Sequence, residues 1–156
     1  MPKTSGPDPK ARKAAAEALS KLLADSYAVY LKTHGYHWNV RGPSFQALHS
    51  LFMAQYTEMW TAIDEVAERI RALGELAPQG YGAFGNLSAI KDGDPSLAAN
   101  AMLTDLIASH ETLIATAYGA LEAAQAAGDE VSAGLLTDRL TAHEKHAWML
   151  RASLED

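Results

Sequence analysis

The sequence predicts an all-α fold, a four-helix bundle whose second and third long helices are joined by an extended crossover. Three observations carry that reading. Alanine is abundant while Val and Ile are scarce, a balance that favours helices over strands. Four stretches place their apolar residues at alternating steps of three and four, the period of a helix with one buried face. Between the second and third of these stretches lies a long run from Glu75 to about Met102, punctuated by Pro78, Gly80, Gly82, Gly85, Gly93 and Pro95.

Each element follows from its residues. Residues 1–9 hold Pro, Gly, Ser and Lys without periodicity and read as a mobile tail, so the bundle domain is expected over 10–156. From Lys10 a long helix runs with Leu19, Leu23, Ser26, Tyr30, Thr33 and His37 along one face. Gly42-Pro43 breaks it, with the proline expected at the first position of the next helix. That second helix carries Phe45, Leu48, Phe52, Tyr56, Met59, Ile63, Val66 and Ile70 on its apolar face. Beside it lies a second stripe of His49, Met53, Trp60, Asp64 and Glu68, and Gly74 closes the helix. The crossover is too long for a bare connection and is expected to contain a short helix near Tyr81 to Leu87. A third long helix then shows Leu103, Leu106, His110, Leu113, Ala117 and Leu121 and stops near Gly128. The fourth shows Ala133, Leu136, Leu140, His143, Ala147 and Leu150. A bundle with one such crossover has the topology of ferritin-like folds.

Composition excludes several chemistries. The 156 residues contain no cysteine, so there is no disulfide framework, thiolate nucleophile or zinc-thiolate site. The N-terminus lacks the apolar core of a signal peptide, and no apolar run approaches membrane-spanning length, so a cytoplasmic location without membrane contact is expected. The net charge is −6 although Lys3, Lys10, Arg12 and Lys13 crowd the first thirteen residues. The body is therefore acidic and should attract cations.

The residues able to bind a cation lie on either side of the first helix break. Asp64 and Glu68 are four apart, so both carboxylates project from one face. His37 and His49 flank the Gly-Pro break, which can bring them face to face. Imidazole and carboxylate donors with open positions suit iron. His49 and Asp64 are fifteen residues apart, about 22 Å along one helix at 1.5 Å per residue, so they cannot hold the same ion within one chain. One site built from both halves must therefore lie between two subunits, across a two-fold axis. No glutamate is followed by a histidine three residues later, which argues against a di-iron centre inside one bundle.

The run HWNVRGPSFQALH, the spaced Asp64 and Glu68, the AERIRALG segment, the YGAFGNLSAIK crossover and the closing EKHAWMLRA together resemble the Dps family of miniferritins over nearly the whole chain. The resemblance implies a hollow dodecamer that oxidises ferrous iron, with hydrogen peroxide or dioxygen as oxidant, and stores ferric mineral. Its inter-subunit ferroxidase site corresponds to His37, His49, Asp64 and Glu68, with iron as substrate and metal. Trp38 and Trp60 are expected to flank it, excluding water and intercepting stray oxidising equivalents. The family usually has an acid four residues after the second histidine, whereas this chain has Met53, a soft ligand poorly suited to ferric iron. A weaker second iron position is therefore expected.

The resemblance also points to acids near the fourth helix as the lining of three-fold pores: Asp129 or Glu130, together with Asp138. Lys3, Lys10, Arg12 and Lys13 become candidate contacts to DNA, non-specific and salt-sensitive when repeated over many subunits. The alternative reading is a nucleoid-associated structural cage with a weakened ferroxidase centre. His110 and His143 are expected to be buried and hydrogen-bonded, and His34 merely exposed. Glu144 and Lys145 place His146 on a solvated face.

Overall fold

A computed structural model describes residues 6–156. The first five, including Lys3 and most of the expected tail, lie outside the described residues. The chain forms α1 (Pro9–Asn39), α2 (Phe45–Ala72), the short α3 (Tyr81–Leu87), α4 (Ala99–Ala126) and α5 (Glu130–Ala152). No strand occurs among the described residues, so the all-α bundle with a helix-bearing crossover is as the sequence predicts. No described helix is long and apolar enough to cross a membrane.

The ends of the elements have local causes. Asp8 caps α1 by accepting from the Ala11 amide at 2.9 Å, with Pro9 at the first helical position. Pro43 does not open α2 as the sequence suggested. Ser44 takes the capping position and Phe45 begins the helix, so Pro43 sits in the turn, next to Gly42 at φ 115°. At the end of α4, Gly128 adopts φ 68° while its amide bonds Gln125 and that of Asp129 bonds Ala124, a Schellman closure.

The crossover is tied down by buried polar anchors. Asp25 of α1, 1% exposed, accepts from Ser88 Oγ at 2.7 Å, the Ala89 amide at 3.0 Å and Thr116 Oγ1 at 2.6 Å. Further along, Tyr36 donates to Asp105 at 2.5 Å and accepts from the Asp94 amide at 3.3 Å. Burial and that carboxylate both push the Tyr36 phenol well above its usual range.

The helices pack closely around three sides of the bundle, α2 on α1, α1 on α4 and α4 on α5. The fourth side, between α2 and α5, is wider and is spanned by long polar side chains. Arg69 reaches Asp129 and Ser132 there, and Arg139 and His146 reach Glu58. The apolar core is accordingly in two parts. One holds Leu19, Leu23, Met59, Ile63, Val66, Leu113 and Leu136. The other holds Tyr36, Phe52, Met102, Leu106 and Leu150. Between them all four long helices contribute buried polar groups: Lys32 and Thr33, Gln55, Ser109 and His110, then Arg139, His143 and His146.

Candidate metal centre

The α1–α2 hairpin places His37 near the end of one helix and His49 near the start of the next. Their rings stack, with centroids 3.7 Å apart and planes 13° from parallel. His37 Nδ1 lies 2.7 Å from the His49 carbonyl, and His49 Nδ1 lies 2.7 Å from the His37 carbonyl. A carbonyl oxygen only accepts, so both Nδ1 atoms carry the proton and donate. Each Nε2 is left with its lone pair, the form in which imidazole ligates a metal, and the carbonyl bonds fix both ring orientations. Phe45 stacks on His49 at 4.9 Å and Tyr56 lies edge-on to His37 at 5.3 Å. Neither aromatic is expected beside this pair from the sequence analysis above, although Phe45 lies four residues before His49 and Tyr56 seven after it, both on its helical face.

The carboxylate half lies far along the same helix. α2 runs unbroken through all of these positions, so the separation of about 22 Å stands. Asp64 and Glu68 are both exposed. Asp64 and Trp60 line an open groove of about 790 Å³ with Tyr27, Pro78 and Phe84. The stripe joining the two halves bears large apolar side chains open to solvent in the single chain: Met53 at 51% and Trp60 at 60%, with Trp38 of α1 at 64%. Among the described residues no three His, Asp or Glu side chains converge within one chain as a metal would require. His34 is half-buried rather than simply exposed, with Trp38 at 4.3 Å and Tyr56 at 4.5 Å from its ring.

Other expected residues are placed differently. Asp129 is 2% exposed and is no pore acid on its own chain's surface: it caps α5 through the Ser132 amide at 3.0 Å and pairs with Arg69 at 2.8 Å. Burial opposes its charge, but the bonds from Ser132 and then Arg69 hold its carboxyl below the usual range. Glu130 and Asp138 are exposed. Lys10 and Lys13 are exposed, whereas Arg12 is half-buried and donates to the Pro7 carbonyl at 2.9 Å.

His110 and His143 are buried and bonded to one another, as expected, with their Nδ1 atoms 3.1 Å apart. His146 is not on a solvated face. It is 8% exposed and turns inward to Glu58, because its stripe continues from His143 while Glu144 and Lys145 take the outer side. Arg139 and Glu58 join this group as partners that the sequence does not single out. The available signal was Arg139, His143 and His146 at steps of four and three on an inward face.

The family model for the ferritin-like domain matches residues 16–156. The chain is 38% identical over 138 residues to the DNA protection during starvation protein 2 of Bacillus anthracis, covering 88% of this chain and 94% of that protein. It is 34% identical over 137 residues to the DNA protection during starvation protein of Brevibacillus brevis, covering 88% and 92%. Among solved structures, the Vibrio cholerae O1 Dps protein superposes with a TM-score of 0.93 at 33% identity, over 99% of this chain and 98% of that one. It is described as a member of a broad superfamily of ferritin-like diiron-carboxylate proteins. A Dps protein from Bacillus brevis superposes with a TM-score of 0.89 at 32% identity, covering 94% and 98%.

Proposed function

The chain belongs to the Dps family of ferritin-like proteins, and from that premise we propose that it is a ferroxidase and iron store working at a site shared by two subunits. The observation that carries this reading is the His37–His49 pair, whose mutual carbonyl bonds leave two oriented Nε2 lone pairs. The pair is one half-site. Asp64 and Glu68 of the partner subunit complete it, each chain lending its groove beside Asp64 to its neighbour's hairpin. The exposed Met53, Trp38 and Trp60 become the buried interface.

Ferrous ions are substrates here. Imidazole nitrogen and carboxylate oxygen hold both ferrous and ferric states, so the site retains its ions through the change. With peroxide as oxidant, each of two ferrous ions gives one electron, the O–O bond breaks and two hydroxides leave. The ferric product passes to mineral inside a closed shell, for which a dodecamer is the proposed assembly. Glu130 and Asp138, exposed and acidic, are the proposed pore lining. The shell removes iron and peroxide together and so limits damage to DNA, in keeping with the names of the relatives.

Anaerobic ferrous loading followed by peroxide should produce a ferric absorbance rise in the wild type. An equal rise from the Asp64→Ala, Glu68→Ala double variant would remove the assignment. Met53 and the exposed Lys10 and Lys13 favour a second reading, a nucleoid-associated cage with a slow centre. Gel shifts across a salt series decide it, since phosphate contacts weaken steeply as salt rises. No shift at low salt would end it.

A further inference from the structure

The polar layer between the two halves of the core is independent of the iron site, and its hydrogen bonds have a fixed direction. Arg139 only donates. Its Nη2 lies 2.9 Å from His143 Nε2, so that nitrogen accepts and His143 carries its proton on Nδ1. His143 Nδ1 then donates to His110 Nδ1 at 3.1 Å, and the His110 proton is on Nε2, which has no partner among the described residues. Arg139 also holds Glu58 through two bonds, at 2.6 and 3.0 Å, and His146 Nε2 meets the same carboxylate at 2.8 Å. Gln55 joins α2 to α5 again by donating to the His146 carbonyl at 3.3 Å.

The chain of donors leaves no place for a proton. One added to His143 Nε2 would put an N–H against the Arg139 N–H. One added to His110 Nδ1 would put an N–H against that of His143. Each protonation breaks a bond of the layer, and both rings are wholly buried. The groups acting on the pair are Glu58 of α2 and Arg139 and His146 of α5. In the same layer Lys32 of α1 and Asp105 of α4 are already paired, at 3.2 Å.

We propose that this layer is an acid-sensitive latch on α5: protons entering the His143–His110 pair break the bond that joins α5 to α4 through the two rings and the bond from Arg139 that sets this arginine against Glu58 of α2. The direction of titration agrees. Burial foremost, then the nearby His146 and Arg139, lowers His110 to about 3 against the opposing pull of Glu58. Burial foremost, then His110 and Arg139, holds His143 well below its usual value. Both folded values lie under the unfolded value near 6.5, so the latch is fully effective above about pH 6.5 and weakens as pH falls below it. Glu58, kept at about 2 against its own burial by His146 and Arg139, adds its loss only below about 4.5. Between pH 6 and 5 two protons taken up on opening raise the unfolding constant by up to about 60-fold, and His34, also lowered by burial and then by His37, adds a dependence of the same sign.

The test is urea unfolding of the assembled protein at fixed concentration across that window, for wild type and for His110→Gln, His143→Gln. The amides keep a donor and an acceptor but do not titrate. The expected result is loss of most of the dependence of about 60-fold in the double variant, and an unchanged slope would overturn the latch. If the double variant does not fold, deuterium exchange at the ring C2 carbons of the wild type, read by mass spectrometry, reports each histidine's titration directly. His110 and His143 should stay unprotonated in the native protein at pH 5.5, and midpoints near 6.5 would overturn the proposal.

Discussion

Met53 stands four residues after His49 on the exposed stripe of α2, half open to solvent in the single chain. A thioether gives a ferric ion little, and a carboxylate there would add a hard donor on the face of His49. Met53→Glu should therefore raise the number of ferrous ions bound per subunit before oxidation, read by anaerobic titration, and increase the initial rate severalfold. Asp129 teaches the opposite lesson. Its place at a helix start suggests an acid for a pore, yet the carboxylate turns inward, with Oδ1 taken by the Ser132 amide and Arg69 and Oδ2 buried without a partner among the described residues. Asp129→Ala should cost about 2 kcal/mol of stability through the lost cap and the stranded Arg69, measured by denaturant unfolding near pH 7. Its carboxyl titrates below the usual range in the folded chain, so that contribution is present at neutral pH and fades as pH falls below about 4. The difference was not legible in the sequence, because an acid at a helix start reads the same whether it faces a pore or its own backbone. What decides is Arg69, sixty residues away.

At the scale of elements, the periodicities of α1, α2, α4 and α5 and the glycines after α2 and α4 were enough to place the long helices to within a few residues, although α4 begins at Ala99, ahead of the expected end of the crossover near Met102. Local chemistry dominates there. The reciprocal bonds of the α1–α2 hairpin were invisible, since they depend on how the turn at Gly42 sets two helix axes. The anchoring of the crossover was equally hidden. Gly93 passes so close to Tyr36 that a Cβ would come 2.8 Å from the phenol oxygen, in a place where that oxygen is already held by Asp105. Gly93→Ala should displace the crossover and destabilise the chain by about 1–3 kcal/mol, with Tm as the readout. Gly82→Ala in the same crossover meets no atom within 4 Å and serves as the control.

For the whole molecule, the division of the core into two apolar parts around a polar layer has no counterpart in the helical periodicity, which counts histidine on an inward stripe as one more core residue. The layer exists because α2 and α5 stand apart, and long side chains reach across where methyl groups could not. Assembly is the other property of this scale. The apolar side chains along α2 are surface in one chain and proposed interface in the oligomer. Trp60→Glu should therefore yield smaller species by sedimentation and lose peroxide-driven oxidation together, while leaving the helix content by circular dichroism unchanged.

The unbroken course of α2 from His49 to Glu68 has a genetic consequence. If the proposed shared site is right, a chain lacking both imidazoles and a chain lacking both carboxylates should each be inactive alone, failing in complementary halves. A mixed pair restores one whole site and leaves its other site with neither half. Random co-assembly of the two defective chains should then recover about a quarter of the wild-type sites, the result of half the pairs being mixed and half the sites in each being intact. Two null alleles expressed together would behave as a partial wild type, a result that a site confined to one chain could never give.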